Sequence, residues 1–241
     1  MISGTLFVVS VPIGNLKDIT YRAVEVLNQV DMIACEDTRK TGLLCKEYNI
    51  DTKLTSYHDH NKGSKGSYLI SELKREKNIA LVSDAGTPGI NDPGYNIVKD
   101  AREQGITVVG IPGATAAINA LVTSGLPTDR YCYEGFLPAK KGRKTALDKL
   151  KNEIRTIILY ESVHRIIKTL KELSMIFPNR LVSVHREMTK IHEEVINGFL
   201  HDVIEKLENG NIKGEFVIII SGLSAKDMKK EKVNKYGKDR L

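Results

Sequence analysis

Asn78-Ile79-Ala80-Leu81-Val82-Ser83-Asp84-Ala85-Gly86-Thr87-Pro88-Gly89-Ile90-Asn91-Asp92-Pro93-Gly94 runs from a short apolar segment into a loop dense in glycine, proline and aspartate. The apolar part reads as a buried strand. Glycine lets a backbone approach a ligand closely and proline stiffens a turn, so the connection is built for shape. A purely structural connection is usually shorter and simpler. In open α/β sheets ligands bind beyond the carboxyl ends of strands, which is where this loop falls.

Outward from that loop, apolar runs alternate with helical patterns. Residues 6–11, 31–35, 79–83 and 106–111 read as strands, with a weaker one at 53–57. Helices are expected at 19–30, 39–48, 65–76 and 95–104, and another opens at Gly113 and runs to about Ser124. Such alternation argues for a mostly parallel sheet with helices on both faces. The second half changes character: 131–136, 156–160, 181–185, 194–199 and 215–220 are strand candidates. The two around Leu181 and Val195 are joined without a helix, so antiparallel pairing is expected there. The fold class is therefore α/β with two domains: an N-terminal Rossmann-like domain at 1–112, mostly parallel, and a C-terminal domain at 113–222 with a mixed sheet. A basic tail at 223–241 is expected to be disordered.

Four strand candidates finish in acids: Glu36-Asp37, Asp84, Glu161 and Glu187. Arg39, Arg165 and Arg186 lie close to them in sequence. Strand ends of one sheet edge converge, so these groups are expected to line one cleft. Acids with arginines orient hydroxyls, hold phosphates and move protons. No Gly-x-Gly-x-x-Gly follows the first strand and no P-loop pattern occurs, so neither a standard dinucleotide site nor a P-loop is supported. His58-Asp59-His60 lacks a second ligand pair of diagnostic spacing, so no metal is expected.

The chain has 241 residues, 41% hydrophobic and 27% charged, enough for one large or two small cores. No apolar run reaches the roughly 20 residues that span a bilayer, and the N-terminus lacks a signal-peptide pattern. Cys35, Cys45 and Cys132 form no close pair, so reduced thiols and a cytoplasmic location are expected. The net charge of +6 is uneven. Residues 138–155 carry five lysines and two arginines against two acids, and 223–241 carry six lysines and one arginine against three. Two basic segments on a mildly acidic body point to a polyanionic partner.

Five segments, taken in order, resemble the tetrapyrrole-methylase superfamily of S-adenosylmethionine-dependent enzymes. They are residues 10–20 (Ser-Val-Pro-Ile-Gly-Asn-Leu-Lys-Asp-Ile-Thr), Glu36-Asp37-Thr38-Arg39, residues 83–94, Pro112-Gly113-Ala114-Thr115-Ala116, and the pair Glu161-Ser162-Val163-His164-Arg165 with Arg186-Glu187-Met188-Thr189-Lys190. Within the superfamily they resemble the branch that methylates a ribose 2′-hydroxyl of cytidine in small-subunit ribosomal RNA. Tetrapyrrole-modifying relatives have Gly-Pro-Gly-Asp where this chain has Pro12-Ile13-Gly14-Asn15, which argues against a porphyrin-precursor substrate. Relatives often carry Glu-Ser-Pro-His-Arg where Val163 stands here, a departure that loses no reactive group.

The resemblance implies S-adenosylmethionine in a cleft between two α/β domains, and a homodimer. Cofactor contacts carried over by position are Pro12, Ile13, Val82, Ser83, Asp84, Thr87, Thr115, Ala116, Glu161 and Met188. The partner is small-subunit rRNA or an assembled small subunit, with no membrane. Glu36, Asp37 and Glu187 are carboxylate candidates for the base, and Lys190 is one if burial depresses its pKa. Arg39 and Arg165 suit phosphate or ribose contacts, and Lys140, Lys141, Arg143 and Lys144 suit RNA backbone. Two alternatives stand beside this reading: a tetrapyrrole-precursor methyltransferase of the same superfamily, and a non-catalytic RNA-binding protein.

Overall fold

The computed structural model describes residues 3–59, 61–92, 94–177, 180–210 and 212–223. His60, Pro93 and the expected tail from residue 224 onward lie outside the described residues. The chain divides into two compact units, Met1–Thr115 and Ala116–Leu241, three residues later than the boundary read from sequence.

The first unit alternates β1 (Thr5–Val9), α1 (Tyr21–Gln29), β2 (Met32–Cys35), α2 (Thr38–Glu47), β3 (Leu54–Ser56), α3 (Lys62–Lys74), β4 (Ile79–Val82), α4 (Gly94–Glu103) and β5 (Thr107–Ile111). Its five strands are all parallel, in the order β3-β2-β4-β1-β5. β2 and β4 are buried along their whole length, because both faces of the sheet are covered. Ile33, Cys35, Ala80 and Val82 face α1 and α2 through Leu27 and Leu44. Met32, Ala34, Ile79 and Leu81 face α3 and α4 through Leu69 and Ile97. The two-residue period of a strand makes that division.

Local signals set the helix starts. The Thr20 hydroxyl caps α1 by accepting from the Ala23 N–H, and the Asp37 carboxylate caps α2 by accepting from Arg39. β1 ends two residues earlier than its apolar run, because Val11 leaves the sheet to form a bridge with Gly86. Ser83 likewise leaves β4 as its hydroxyl turns back to the Ala85 and Gly86 carbonyls.

The second unit contains α5 (Ala116–Thr123), β6 (Tyr131–Phe136), α6 (Arg143–Leu150), β7 (Thr156–Ser162), α7 (Ile166–Ile176), β8 (Leu181–Arg186), β9 (Glu194–Phe199), α8 (Leu200–Glu208) and β10 (Glu215–Ile220). Its sheet is mixed, in the order β6-β7-β10-β8-β9. Only β6 and β7 pair in parallel; β10 runs antiparallel between β7 and β8, and β8 and β9 form the antiparallel pair expected from their short connection. One face packs Ile157, Leu159, Val184, Phe216 and Ile218 against Leu147 of α6, Leu170 of α7 and Val203 of α8. On α5, the Ala117 N–H donates to the Tyr160 hydroxyl at 3.1 Å.

Candidate active site

In the first unit, β1 and β4 are neighbours whose connections leave in opposite directions along the sheet. The two connections cross toward each other, which brings their loops together at the carboxyl edge. Three loops meet there. Val11 and Gly86 exchange backbone hydrogen bonds of 2.9 and 3.1 Å, joining the loop after β1 to the loop after β4. The Ser10 and Thr87 hydroxyls lie 2.8 Å apart, and Thr87 donates onward to the Ala114 carbonyl at 3.2 Å, which brings in the loop after β5. Small residues are needed at this junction. Gly86 has φ +76, and a Cβ at Gly113 would meet the Ser10 Cβ at 2.9 Å.

Pro12, Ile13, Val82, Ser83, Asp84, Thr87 and Thr115 therefore lie on or beside these three loops. Pro12, Val82 and Ser83 are buried, so any ligand would meet mainly their backbone. Asp92 organises the far end of the long loop: its Oδ1 accepts from the Gly89 and Gly94 N–H groups at 2.6 and 2.9 Å.

The register Cys35↔Val82 sets Glu36-Asp37 beside Ser83-Asp84. The Asp37 N–H donates to Asp84 Oδ1 at 3.0 Å, and Lys40 Nζ donates to Asp84 Oδ2 at 2.7 Å. Asp37 also holds Arg39 through both carboxylate oxygens, at 3.0 and 2.7 Å. That guanidinium keeps the Asp37 carboxyl well below the usual carboxylate range. Arg39 itself is exposed. Glu36 is half-buried, and burial followed by the charges of Asp92 and Asp84 raises its pKa.

In the second unit Glu161 is buried, and its carboxylate faces inward. Oε1 accepts from Arg165 Nε and the Ser162 N–H at 2.8 Å each, and Oε2 accepts from the Thr169 hydroxyl at 2.6 Å. The same hydroxyl accepts from Arg143 Nη2 at 2.6 Å. Arg143 Nε donates to Glu172 at 2.7 Å and Nη1 to the Pro138 carbonyl at 3.1 Å. Arg165 Nη1 donates to the Leu137 carbonyl at 3.2 Å.

Three expectations are corrected by this network. Arg143 is buried and committed to protein groups, so it is no exposed phosphate contact; with Leu147 and Leu150 it forms the inner face of α6. The helical spacing of those three positions was the signal available in the sequence. Arg165 is committed to Glu161 and a backbone carbonyl rather than to RNA. The Glu161 side chain ties β7 to α7, leaving only its backbone for a cofactor. Lys140, Lys141 and Lys144 are exposed, as their neighbours' polarity suggests.

After β8 the chain makes a strained turn, with φ +52 at Glu187 and +65 at Thr189 around the buried Met188. Glu187 Oε1 accepts from Lys190 Nζ at 2.9 Å and from the Glu215 N–H at 3.0 Å, and Lys190 also reaches Glu215 Oε2 at 2.9 Å. Burial works against both charges, but these bonds prevail: the Glu187 pKa is lowered and that of Lys190 raised. Lys190 is thus no base of depressed pKa, and Glu187 is a poor proton acceptor. The four acidic strand ends belong to two different sheets, two to each, so the single converging edge expected from sequence is also corrected.

The family model for tetrapyrrole (corrin/porphyrin) methylases matches residues 5–204. Among relatives named ribosomal RNA small subunit methyltransferase I, the protein of Halalkalibacterium halodurans is 49% identical over 91% of this chain and 76% of its own length. That of Escherichia coli O157:H7 is 49% identical, over 93% and 80%. That of Bacillus subtilis is 47% identical, over 95% and 78%. Solved structures share the fold at low identity. Diphthine synthase aligns with a TM-score of 0.71 at 14% identity, covering 91% of this chain and 90% of that one. A cobalt precorrin-4 methyltransferase aligns with a TM-score of 0.67 at 16% identity, covering 90% and 94%. By its sequence from β1 into α8 and by the architecture of its two α/β units, the chain belongs to the tetrapyrrole methylase family.

Proposed function

We propose that this protein methylates the ribose 2′-oxygen of a cytidine in small-subunit ribosomal RNA. The broader activity, S-adenosylmethionine-dependent methylation of small-subunit rRNA, follows from near-half identity over more than nine-tenths of the chain to relatives named for it. That identity is the observation that carries the reading. The narrower choice of cytidine and ribose rests on the sequence resemblance.

The chemistry of the first unit's edge fits this cofactor. S-adenosylmethionine is cationic at sulfur and carries no phosphate. Asp37, Asp84 and Asp92 supply negative charge there, and the Gly89 and Gly94 N–H groups are already taken by Asp92. Pro12, Ile13, Val82, Ser83, Asp84, Thr87 and Thr115 would hold the cofactor in the first unit, chiefly through backbone. Ala116 and Met188 are the further contacts that the sequence resemblance assigns. When bound, the cofactor supplies an electrophilic methyl carbon on a good leaving group. The protein's own part is alignment, exclusion of water and removal of one proton.

Exposed Lys140, Lys141 and Lys144 would grip RNA phosphates. Arg39 would join them without releasing Asp37, since its guanidinium is exposed and is held by Asp37 through Nε and Nη2. Homodimeric assembly and action in the cytoplasm belong to the same reading. Among the described residues no helix is long and apolar enough to cross a membrane.

The test is transfer of labelled methyl to small subunits purified from cells lacking this protein, followed by alkaline hydrolysis. A methylated 2′-oxygen cannot attack the adjacent phosphodiester, so the labelled position should resist cleavage. Label on a base, with the backbone still cleavable there, would refute the ribose assignment.

A further inference from the structure

Building on the methyl-transfer reading above, we propose that Glu36 is the base that takes the proton from the acceptor hydroxyl and that Asp84 is the residue that positions it. The carboxylates at the strand ends differ sharply in what they are free to do. Asp37 is chelated by Arg39 and caps α2. Asp84 has one oxygen on the Asp37 N–H and the other on Lys40. Asp92 is held by two backbone N–H groups. Glu161 is sealed in its network, and Glu187 is bonded to Lys190 and a backbone N–H. Each of these carboxylates already accepts bonds from protein donors that fix it in place.

Glu36 stands apart. Among the described residues no cation forms an ion pair with it, and it sits half-buried at the end of β2. The charged groups around it are Asp84 and Asp92 from the loop after β4, Asp59 from the segment after β3, and Asp37, Arg39 and Lys40 at the start of α2. Both cations are engaged by Asp37 and Asp84, so Glu36 meets mainly negative charge, and burial first and that charge second raise its affinity for a proton. A bond from the Asp84 backbone N–H offsets part of that rise. A carboxylate without a cation, set beside companions that are fixed by donors, is the one placed to accept a proton.

Asp84 acts through the peptide that joins Glu36 to Asp37. Its Oδ1 holds that peptide's N–H, and Lys40 on Oδ2 anchors the same carboxylate to the first turn of α2. In the reaction, the hydroxyl O–H bond breaks as its oxygen bonds the methyl carbon. The proton passes to a Glu36 carboxylate oxygen, and the carbon–sulfur electron pair returns to sulfur, which leaves neutral. A ribose hydroxyl is a far weaker acid than a carboxylic acid, so proton transfer accompanies carbon–oxygen bond formation rather than preceding it.

The test combines kinetics with measurements that need no turnover. Glu36→Gln should lower turnover on small subunits by roughly 10²–10⁴-fold, with wild-type cofactor affinity by calorimetry and an unchanged melting temperature. Glu36→Asp should recover part of the rate. In the free protein, carbon-13 NMR should show the Glu36 carboxyl titrating above the ordinary value of about 4.3. Asp84→Asn should move that titration downward, by removing the adjacent negative charge, and reduce kcat more than it raises KM. Full turnover in Glu36→Gln overturns the base, and so does a loss that follows cofactor affinity or folding. An unmoved Glu36 titration with unchanged kcat in Asp84→Asn overturns the positioning role. Wild-type protein inactive on small-subunit RNA would instead overturn the functional reading itself.

Discussion

Thr169 donates its hydroxyl proton to Glu161 at 2.6 Å and accepts, on the same oxygen, a bond from Arg143 at 2.6 Å. One hydroxyl therefore joins the buried end of β7 to the start of α6, across α7. Removing one partner of a buried charged network leaves the other uncompensated, at a cost of about 3–5 kcal/mol. Arg143→Ser should lower the unfolding free energy measured in urea by that order. Lys140→Ser, Lys141→Ser and Lys144→Ser should each shift stability by less than about 0.5 kcal/mol. Together the three lysine changes should reduce the salt slope of subunit binding by roughly one unit per lost contact. Equal stability losses from Arg143 and the lysines would contradict the inward placement of Arg143.

The meeting of three loops around Thr87 predicts a sharp size limit at Gly113. A valine there would press its Cβ into Ser10, where the space is 2.9 Å. Separating the loops should weaken cofactor binding by tenfold or more, about 1.4 kcal/mol, as read by calorimetry on folded protein. Thr87→Val should act in the same direction and more weakly, since it removes hydrogen bonds without forcing the backbone apart. Wild-type affinity in Gly113→Val would show that this junction does not shape the cofactor site.

The Glu187–Lys190 pair predicts a window of pH. The folded-state pKa of Glu187 is depressed, so its contribution is present above the unfolded value of about 4.3 and is lost as pH falls through the folded value. That of Lys190 is raised, so its contribution is present below about 10.4 and is lost as pH rises through the folded value. Glu187→Gln should therefore destabilise the protein at neutral pH and less at an acid pH below the folded value. Urea midpoints at the two pH values make the comparison, and an equal deficit at both would count against the pair.

Cys35 and Cys132 are buried, and burial pushes both thiols up to about 11. The thiolate is the reactive form. Native protein at neutral pH should leave both unmodified by a thiol-specific reagent on the timescale that labels a free thiol. In denaturant all three cysteines should react. Rapid labelling of Cys35 in the folded state would mean that β2 opens locally.

Much of the fold was legible because its signals are local. Apolar runs without polar alternation at 79–82 and 32–35 read as buried strands, and both strands are buried along their length. Thr20 and Asp37 mark helix starts by hydrogen bonds that reach only three residues or fewer along the chain. The strand ends were less exact where a long-range contact intervened, as at Val11, which leaves β1 for Gly86.

The sequence by itself determined the alternating order of elements, the loops at the carboxyl ends of β1, β4 and β5, and the family motifs along them. Those follow from periodicity, backbone restriction at glycine and proline, and short-range capping. Only the tertiary structure decided which charged groups are spent on the protein itself. Arg143 and Lys144 are adjacent in sequence, yet one is buried against Glu172 and the other faces solvent. Glu36 and Asp37 are adjacent too, yet Arg39 chelates one and not the other. A side chain's proton affinity depends on what surrounds it in space, and strand register and helix rotation bring those surroundings from residues tens of positions away.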